Sequence, residues 1–336
     1  MMRKIKNFLK YIIPEKIINS YRKRFVLNNL KAYFQYDEGL FFKYSNIWYS
    51  DSQSKKIGLI VLLYHVIEKG LTMPDMKLGF GRGKLIQLIN ECTAYKKKYD
   101  IQNTQFLHSL GVIKEYKRVH EKYNFELDGE LNMKIENLFF KANTTPFVEQ
   151  LSVTKDSYFK YINAPFNQFS NSRKSIRNFE GSVDLKEIYK AIELAQNTPS
   201  PCNRQPVRLH IVDNTEKIIK ALEVQKGNRG FGHLVDKLII VTVDVSIYQS
   251  AEERYSPYID GGMHAMNLLY ALHFYKIGAC SLNWSKSPNE DLELRNVINI
   301  PNSEVVILMI ACGKVPNDFK IATSKRNYYS EIISTH

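Results

Sequence analysis

The chain has 336 residues, and its 47 Lys and Arg against 34 Asp and Glu give a formal net charge of +13. Hydrophobic residues make up 44% of the sequence, which excludes disorder over most of the chain because enough apolar surface is present to form a core. The length predicts about two domains. The 4 cysteines form no CxxC pair, which excludes a disulfide scaffold and a cysteine-based zinc module and is typical of a reducing compartment.

The apolar stretches are too short for a membrane span. The longest, residues 57–67, is interrupted by Tyr64 and His65, whereas a span needs roughly 18–20 apolar residues. This stretch is typical of a buried helix. At the start of the chain, Lys10 and Pro14 interrupt the apolar run that a signal peptide requires. We therefore expect a cytoplasmic protein, and we predict no metal site.

Positive charge is concentrated in residues 1–30, which hold eight basic residues and one acidic residue. Apolar residues from Ile5 to Ile18 recur at near-helical spacing, so this arm is predicted to form a basic amphipathic helix. Such a helix either lies on an anionic membrane surface or packs on its own protein through the apolar stripe, and both interpretations stay open. Nucleic acid is not an expected partner, because no recognised binding motif is present and the charge is local.

The first part of the chain, residues 1–145, is predicted to be a helical extension. Its helical patterns lie near 2–28, 57–68, 83–98, 102–122 and 128–141. Residues 146–169 contain Pro146 and Pro165 and no long periodic run, so they are predicted to be a linker. A second domain is predicted to follow at residues 170–336.

The predicted C-terminal domain mixes helices and strands. Amphipathic patterns predict helices near 183–197, 217–224 and 259–275. Alternating or β-branched runs predict strands at 207–212, 237–245 and 304–312. The second of these strands is rich in β-branched residues, which is typical of a central strand. This order of elements is compatible with a three-layer α+β domain.

Two motifs of this domain indicate ligand binding. The first, SRKSIR at residues 172–177, places basic and hydroxyl side chains at a predicted helix start, where they favour an anion such as phosphate. The second, PSPCNRQP at residues 199–206, is a proline-stiffened loop whose amide side chains suit the edge of a planar heterocycle. Each also has a purely structural interpretation, as a charged helix start and as a turn that ends a helix.

Two further motifs follow in the chain. The third, DGGMHAMNLL at residues 260–269, leads into a turn at 276–280, and its small residues allow close approach of another helix or of a second subunit. The fourth is the strand end GKVP at residues 313–316, followed by a tail with Lys325 and Arg326. These two cations either join a phosphate site or form an ordinary basic tail.

In this order and spacing, the four motifs resemble those of the FMN-dependent nitroreductase family over about residues 170–326, and the loop at 199–206 is the most specific match. The resemblance implies an α+β fold, a nitroreductase-like three-layer sandwich with an antiparallel-rich sheet flanked by helices, preceded here by a mostly helical N-terminal region. The sequence departs from the family pattern at Lys174, which replaces an arginine, at Val207, which replaces an aromatic residue, and in the glycine turn at 278–280.

The resemblance also implies FMN as the cofactor and an intertwined homodimer with FMN at the interface. The first motif and the tail would hold the phosphate and ribityl end, with Arg177 near the isoalloxazine ring. The second motif would come from the other subunit, and Leu282 and Asn283 would lie near the flavin N5. The implied FMN-binding residues are Arg173, Lys174, Ser175, Arg177, Pro199, Ser200, Asn203, Gln205, Asn228, Leu282, Asn283, Lys325 and Arg326.

Two functions of different classes follow. The first is an NAD(P)H-dependent FMN oxidoreductase, in which hydride passes from NAD(P)H to flavin N5 and then to a small acceptor in a ping-pong cycle. The second is a membrane-peripheral assembly or binding protein of surface-polysaccharide biosynthesis that keeps the fold without turnover, which the basic arm and the helical extension suggest. The ordered motifs favour the enzyme.

One group of residues in the helical extension has two interpretations. His65, Glu68 and Lys69 lie within little more than one helical turn, and a His/Glu/Lys set can transfer protons. The preferred interpretation is a helix end with solvated charges and Gly70 as its C-cap.

Overall fold

The computed structural model describes residues 14–48, 51–99, 101–140 and 148–336. Its α-helices are α1 (Glu15–Tyr44), α2 (Gln53–Gly70), α3 (Arg82–Lys98), α4 (Thr104–Lys122), α5 (Gly129–Phe139), α6 (Lys155–Phe159), α7 (Phe166–Ser172), α8 (Leu185–Ala195), α9 (Thr215–Gln225), α10 (Ser256–Phe274) and α11 (Pro288–Val297). Its strands are β1 (Leu151–Thr154), β2 (Val207–Val212), β3 (Lys237–Asp244), β4 (Gly278–Asn283), β5 (Glu304–Gly313) and β6 (Asp318–Ile321).

Helix α1 belongs to a small compact unit that also contains residues 248–256. Asp37 on α1 pairs with Arg254 at 2.5 Å, and Tyr33 Oη donates a hydrogen bond to Glu252 at 2.8 Å. None of the side chains of α1 is buried. The first half of the predicted basic amphipathic helix lies outside the described residues. Among those described, no helix is both long and apolar enough to cross a membrane.

Residues 52–247 and 257–336 form the other compact unit. Within it, α2 to α5 enclose a hydrophobic core of their own, because their apolar residues recur at helical spacing and lie on one face. Leu63 and Ile67 of α2 and Leu88 of α3 are fully buried in this core. The predicted helical character of this region is confirmed.

Strands β2, β3, β5 and β4 form, in this order, an antiparallel sheet. Successive residues of β3 face opposite sides of this sheet, so Leu238 and Ile240 pack into one core and Ile239 and Val241 into another. Helices α9 and α11 cover the first side, and α8 and α10 cover the second. The predicted three-layer α+β sandwich with an antiparallel sheet is therefore confirmed, with β3 as a central strand.

One strand of a two-stranded ribbon, β1, lies within the segment 146–169 that the sequence predicts as a linker. β1 pairs antiparallel with β6, so that Leu151 faces Ile321 and Thr154 faces Asp318. The same segment also contains α6 and most of α7. These elements have 4 to 7 residues each, which is too short to show a periodic pattern in the sequence. The predicted domain limits at 145 and 170 stay a prediction.

Candidate functional site

A cavity of about 670 Å³ lies where the first motif, the C-terminal tail (residues 322–336) and two helices of the extension meet. Ser175 and Arg177 line it from the first motif, and Lys325 and Arg326 line it from the tail. Its volume is typical of small-molecule sites, which span about 300–1,000 Å³. We call it the cationic cavity. Its lining residues on α2 and α4 are Ile57, Val61, Tyr64, His65, Glu68 and Gln105.

The cations of the first motif and of the tail lack a carboxylate partner among the described residues. In the described part of the chain, Arg177, Lys325 and Arg326 form no ion pair with an Asp or Glu, and neither do Arg173 and Lys174. Burial, Arg326 and Arg173 together lower the pKa of Lys174. The repulsion between these like charges destabilises the site, and an anionic ligand would remove it. The cavity is therefore suited to a phosphate or a similar anion.

Lys69 of α2 adds another cation to this cluster. Burial and the neighbouring Arg177 lower the pKa of Lys69, and Arg229 lowers it further. Its Nζ donates a hydrogen bond to the carbonyl of Gly227 at 3.4 Å. Burial raises the pKa of the Cys280 thiol, while Arg177 and Lys69 act in the opposite direction. Strand β4, which carries Cys280, therefore lies beside the same cations.

Arg173 has an unsatisfied donor in the protein interior. Its Nε is buried and has no hydrogen-bond partner among the described residues. An unpaired buried donor costs roughly 1–3 kcal/mol unless a ligand accepts its hydrogen bond. Beside it, His273 Nε2 lies 2.8 Å from Ser172 Oγ, and burial together with Arg173 lowers the pKa of His273 to about 4. His273 is therefore neutral near pH 7.

Acid is expected to destabilise the protein through His273. The pKa of about 4 in the folded state lies below the value near 6.5 of an unfolded chain, so the unfolded state binds the proton first. The stabilisation is complete above about pH 6.5, and up to about 3 kcal/mol is lost as the pH falls to 4. Urea unfolding of the wild type and His273→Phe at pH 7 and pH 4 measures this loss. Equal losses in the two proteins would contradict the assignment.

The interpretation of Glu68 as a solvated charge is wrong. Its side chain is 0% exposed, and its Oε1 accepts hydrogen bonds from His108 Nε2 at 3.1 Å and from the Ser324 amide at 2.8 Å. Burial raises the pKa of Glu68, but the hydrogen bonds from His108, His65 and Ser324 outweigh it and lower the pKa to about 2. Glu68 lies four residues after Tyr64, which is buried too, so the helical spacing places both side chains on the same face of α2.

The second motif lies at a different cavity, of about 360 Å³. Pro199, Ser200 and Gln205 line it, whereas Asn203 is exposed and does not. Cys202, Asn203 and Gln205 have φ angles of 55°, 52° and 49°, a left-handed conformation that costs side-chain-bearing residues of order 1–3 kcal/mol each. Backbone strain of this kind is concentrated at ligand sites. No residue of this loop lines the cationic cavity of the same chain.

Six of the predicted residues line neither of these cavities: Arg173, Lys174, Asn203, Asn228, Leu282 and Asn283. Asn228 Nδ2 donates to the Leu222 carbonyl at 2.6 Å, which holds the loop after α9. Leu282 is buried in the core, and Asn283 Nδ2 donates to Ser285 Oγ at 2.7 Å. Their implied contacts with FMN stay predictions.

Residues 171–314 match the model of the Nitroreductase family. The match spans the four-stranded sheet and the first three motifs and ends before the tail. It confirms the predicted resemblance. The resemblance applies to the region of the match, residues 171–314, and the helices of the N-terminal extension lie outside it.

Solved structures cover about half of this chain. An FMN-dependent nitroreductase from Clostridium difficile is 20% identical, with 49% of this chain and 92% of that chain covered and a TM-score of 0.39. A nitroreductase family protein from Clostridium novyi is 17% identical, with 46% and 86% covered and a TM-score of 0.40. A Desulfovibrio desulfuricans protein described as a nitroreductase in complex with FMN is 20% identical, with 51% and 96% covered and a TM-score of 0.43. No curated protein matches the chain.

Proposed function

We propose that this protein is an FMN-dependent oxidoreductase that passes hydride from NAD(P)H to a small acceptor. The observation that carries the proposal is the cationic cavity, whose lining residues Arg177, Lys325 and Arg326 lack carboxylate partners in the described part of the chain. Arg173 belongs to the same motif as Arg177, and its buried Nε has no partner among the described residues. A phosphate monoester would compensate these charges and accept this hydrogen bond. The residues present therefore fit the phosphate end of FMN.

The residues of the cavity divide the work of binding. Arg173, Lys174, Lys325 and Arg326 hold the phosphate by charge and hydrogen bonds, and Ser175 adds a hydroxyl donor. Arg177 acts electrostatically on Lys69 and Cys280, and its positive charge would stabilise negative charge on a reduced flavin ring bound there. When bound, FMN supplies the hydride chemistry, while the protein supplies binding, orientation and electrostatics.

The homodimer is the second part of the proposal. The loop of the second motif does not line the cationic cavity of its own protomer, so a second copy would have to bring it to the flavin. The early turns of α10 support such an interface, because several large apolar side chains are exposed there. They are Tyr258, Ile259, Met263 and Met266.

The visible spectrum of the purified protein tests the enzyme proposal. We expect bound flavin with absorption near the ordinary flavin maxima, or uptake of added FMN, and steady oxidation of NADH or NADPH with oxygen or a quinone as the acceptor. Double-reciprocal plots with parallel lines would support the ping-pong cycle. If the purified protein contains no flavin and does not bind added FMN, the proposed function is wrong.

The membrane-peripheral alternative depends on residues 1–30, of which the first thirteen lie outside the described residues. It stays a prediction, together with the link to surface polysaccharides and the cytoplasmic location. A flavin-loaded protein that turns over NAD(P)H steadily would exclude the version without turnover. Flotation with anionic liposomes, with and without residues 1–30, tests the arm separately.

A further inference from the structure

The C-terminal tail is fastened to the helical extension by hydrogen bonds from several elements. Gln105 Nε2 on α4 donates to the Lys325 carbonyl at 3.2 Å and to Asn327 Oδ1 at 2.6 Å. Further along the tail, the Thr104 amide donates to Glu331 Oε1 at 3.1 Å. These contacts hold the tail at Lys325 and at residues that follow Arg326.

On the other side of the two cations, the tail is held by the buried carboxylate of Glu68. Its Oε1 accepts the hydrogen bond from the Ser324 amide at 2.8 Å, one residue before Lys325. His108 Nε2 holds the same oxygen at 3.1 Å, so the position of the carboxylate is fixed from inside α4. Ser324 has a φ of 46°, a conformation that a serine adopts only when its surroundings impose it.

The alternative is that these contacts only hold the tail against the helical extension and have no role in ligand binding. A tail without them would be free to move, since a chain terminus is ordered only where it is tied down. Fixing the backbone of one residue costs about 1–2 kcal/mol, so free tail cations would contribute little to a phosphate site. The contacts are concentrated on both sides of Lys325 and Arg326, the two cations that the tail contributes to the lining of the cationic cavity.

We infer that the helical extension is a working part of the flavin site, which it completes by holding the tail so that Lys325 and Arg326 face the phosphate. Glu68 is the central positioning residue and acts through the Ser324 amide, while Gln105 acts through the Lys325 carbonyl. This inference rests on the proposed binding of FMN. It assigns a role to α2 and α4, which lie outside the residues that match the family model.

Flavin affinity of the flavin-depleted full-length protein tests this role, with FMN compared with riboflavin, which lacks the phosphate. Because hydrogen bonds to charged groups contribute about 1.5–3 kcal/mol, Glu68→Ala is expected to weaken FMN binding about tenfold or more. Riboflavin binding is expected to change less than about threefold. Glu68→Gln keeps an acceptor for the Ser324 amide and is expected to retain most of the FMN affinity.

A double-mutant cycle identifies the residues through which Glu68 acts. In a protein that already carries Lys325→Ala and Arg326→Ala, Glu68→Ala is expected to have little further effect on FMN binding. Gln105→Ala removes the separate contact with the Lys325 carbonyl and is compared in the same way. It tests the positioning role if Glu68→Ala does not fold. The matched control is His120→Ala, because the buried His120 accepts a hydrogen bond from the Gly79 amide at 2.9 Å and so fastens a different loop to α4.

The outcomes separate the inference from the proposed function. An equal loss of FMN and riboflavin affinity in Glu68→Ala, an unchanged FMN affinity, or the same loss in His120→Ala would overturn the positioning role. In each of these cases, FMN binding by the wild type would leave the proposed function intact. A wild type that binds no flavin would overturn both.

Discussion

Arg173→Ala is expected to lower the affinity for FMN about 10- to 100-fold, since a hydrogen bond between charged partners contributes about 1.5–3 kcal/mol. The reason is specific to this residue. Its buried Nε has no partner among the described residues, and under the proposed function a bound phosphate would supply the missing acceptor. Riboflavin affinity is expected to stay within about threefold of the wild-type value. Fluorescence quenching of each flavin on titration with the flavin-depleted protein measures both affinities.

The control for this variant is Arg82→Ala. Arg82 pairs with Asp128 at 2.8 Å and with Glu130 at 2.7 Å, so its charge is already compensated by protein groups, and it does not line the cationic cavity. Its removal is expected to leave both flavin affinities unchanged. Comparable FMN affinities of Arg173→Ala and the wild type would show that the unpaired nitrogen is not a phosphate ligand.

Gly261→Ala is expected to destabilise the protein by about 1–3 kcal/mol, the range for overpacked cores. A Cβ at Gly261 would lie 2.5 Å from Ile307 Cγ1 and 3.0 Å from Val243 Cγ2, on the sheet that α10 covers. This glycine therefore sets the distance between helix and sheet, whereas the sequence predicted close approach of another helix or of a second subunit at the third motif. Urea unfolding of the flavin-free protein measures the change, because a bound ligand would add its own stabilisation.

The adjacent Gly262 provides the matched control. A Cβ at this position would meet nothing within 4 Å, and the residue is exposed. Gly262→Ala is therefore expected to stabilise the protein by about 0.5–1 kcal/mol, the gain in helix propensity. The two variants differ by one position in the same helix, so opposite signs would identify the packing of Gly261 as the cause. Destabilisation by both would instead indicate that the exposed side of α10 is closely packed in the assembled protein.

Much of the C-terminal domain was predictable because its elements carry strong local signals. The strand at 207–212 was predicted with its observed limits, and the β-branched run at 237–245 identified the central strand β3. β4 was not predicted as a strand, because GACSLN lacks the β-branched or aromatic residues that indicate one. The resemblance to the nitroreductase family was predictable because the order and spacing of the four motifs are read directly from the sequence.

The composition of the cationic cavity was predictable only in part. The first motif and the tail cations were identified from the sequence, and the structure brings them together. The contribution of α2 and α4 to the cationic cavity was not predicted from the sequence, because the contact between Glu68 and Ser324 joins residues 256 positions apart. A pattern along one helix shows which face is apolar, but it does not show which distant segment covers a carboxylate on that face.

The pairing of β1 with β6 has a consequence for the biosynthesis of the protein. Thr154 and Asp318 are partners in this ribbon, and 318 − 154 gives a separation of 164 residues, so the ribbon closes only after β6 has left the ribosome. The tail cations emerge later still. The nascent protein therefore passes through a stage in which the four-stranded sheet can form but the Ser324 amide does not yet donate to the carboxylate of Glu68. Cofactor capture is accordingly expected to follow synthesis of the tail cations, and a chain that stops before Ser324 is expected to give a folded but flavin-poor product.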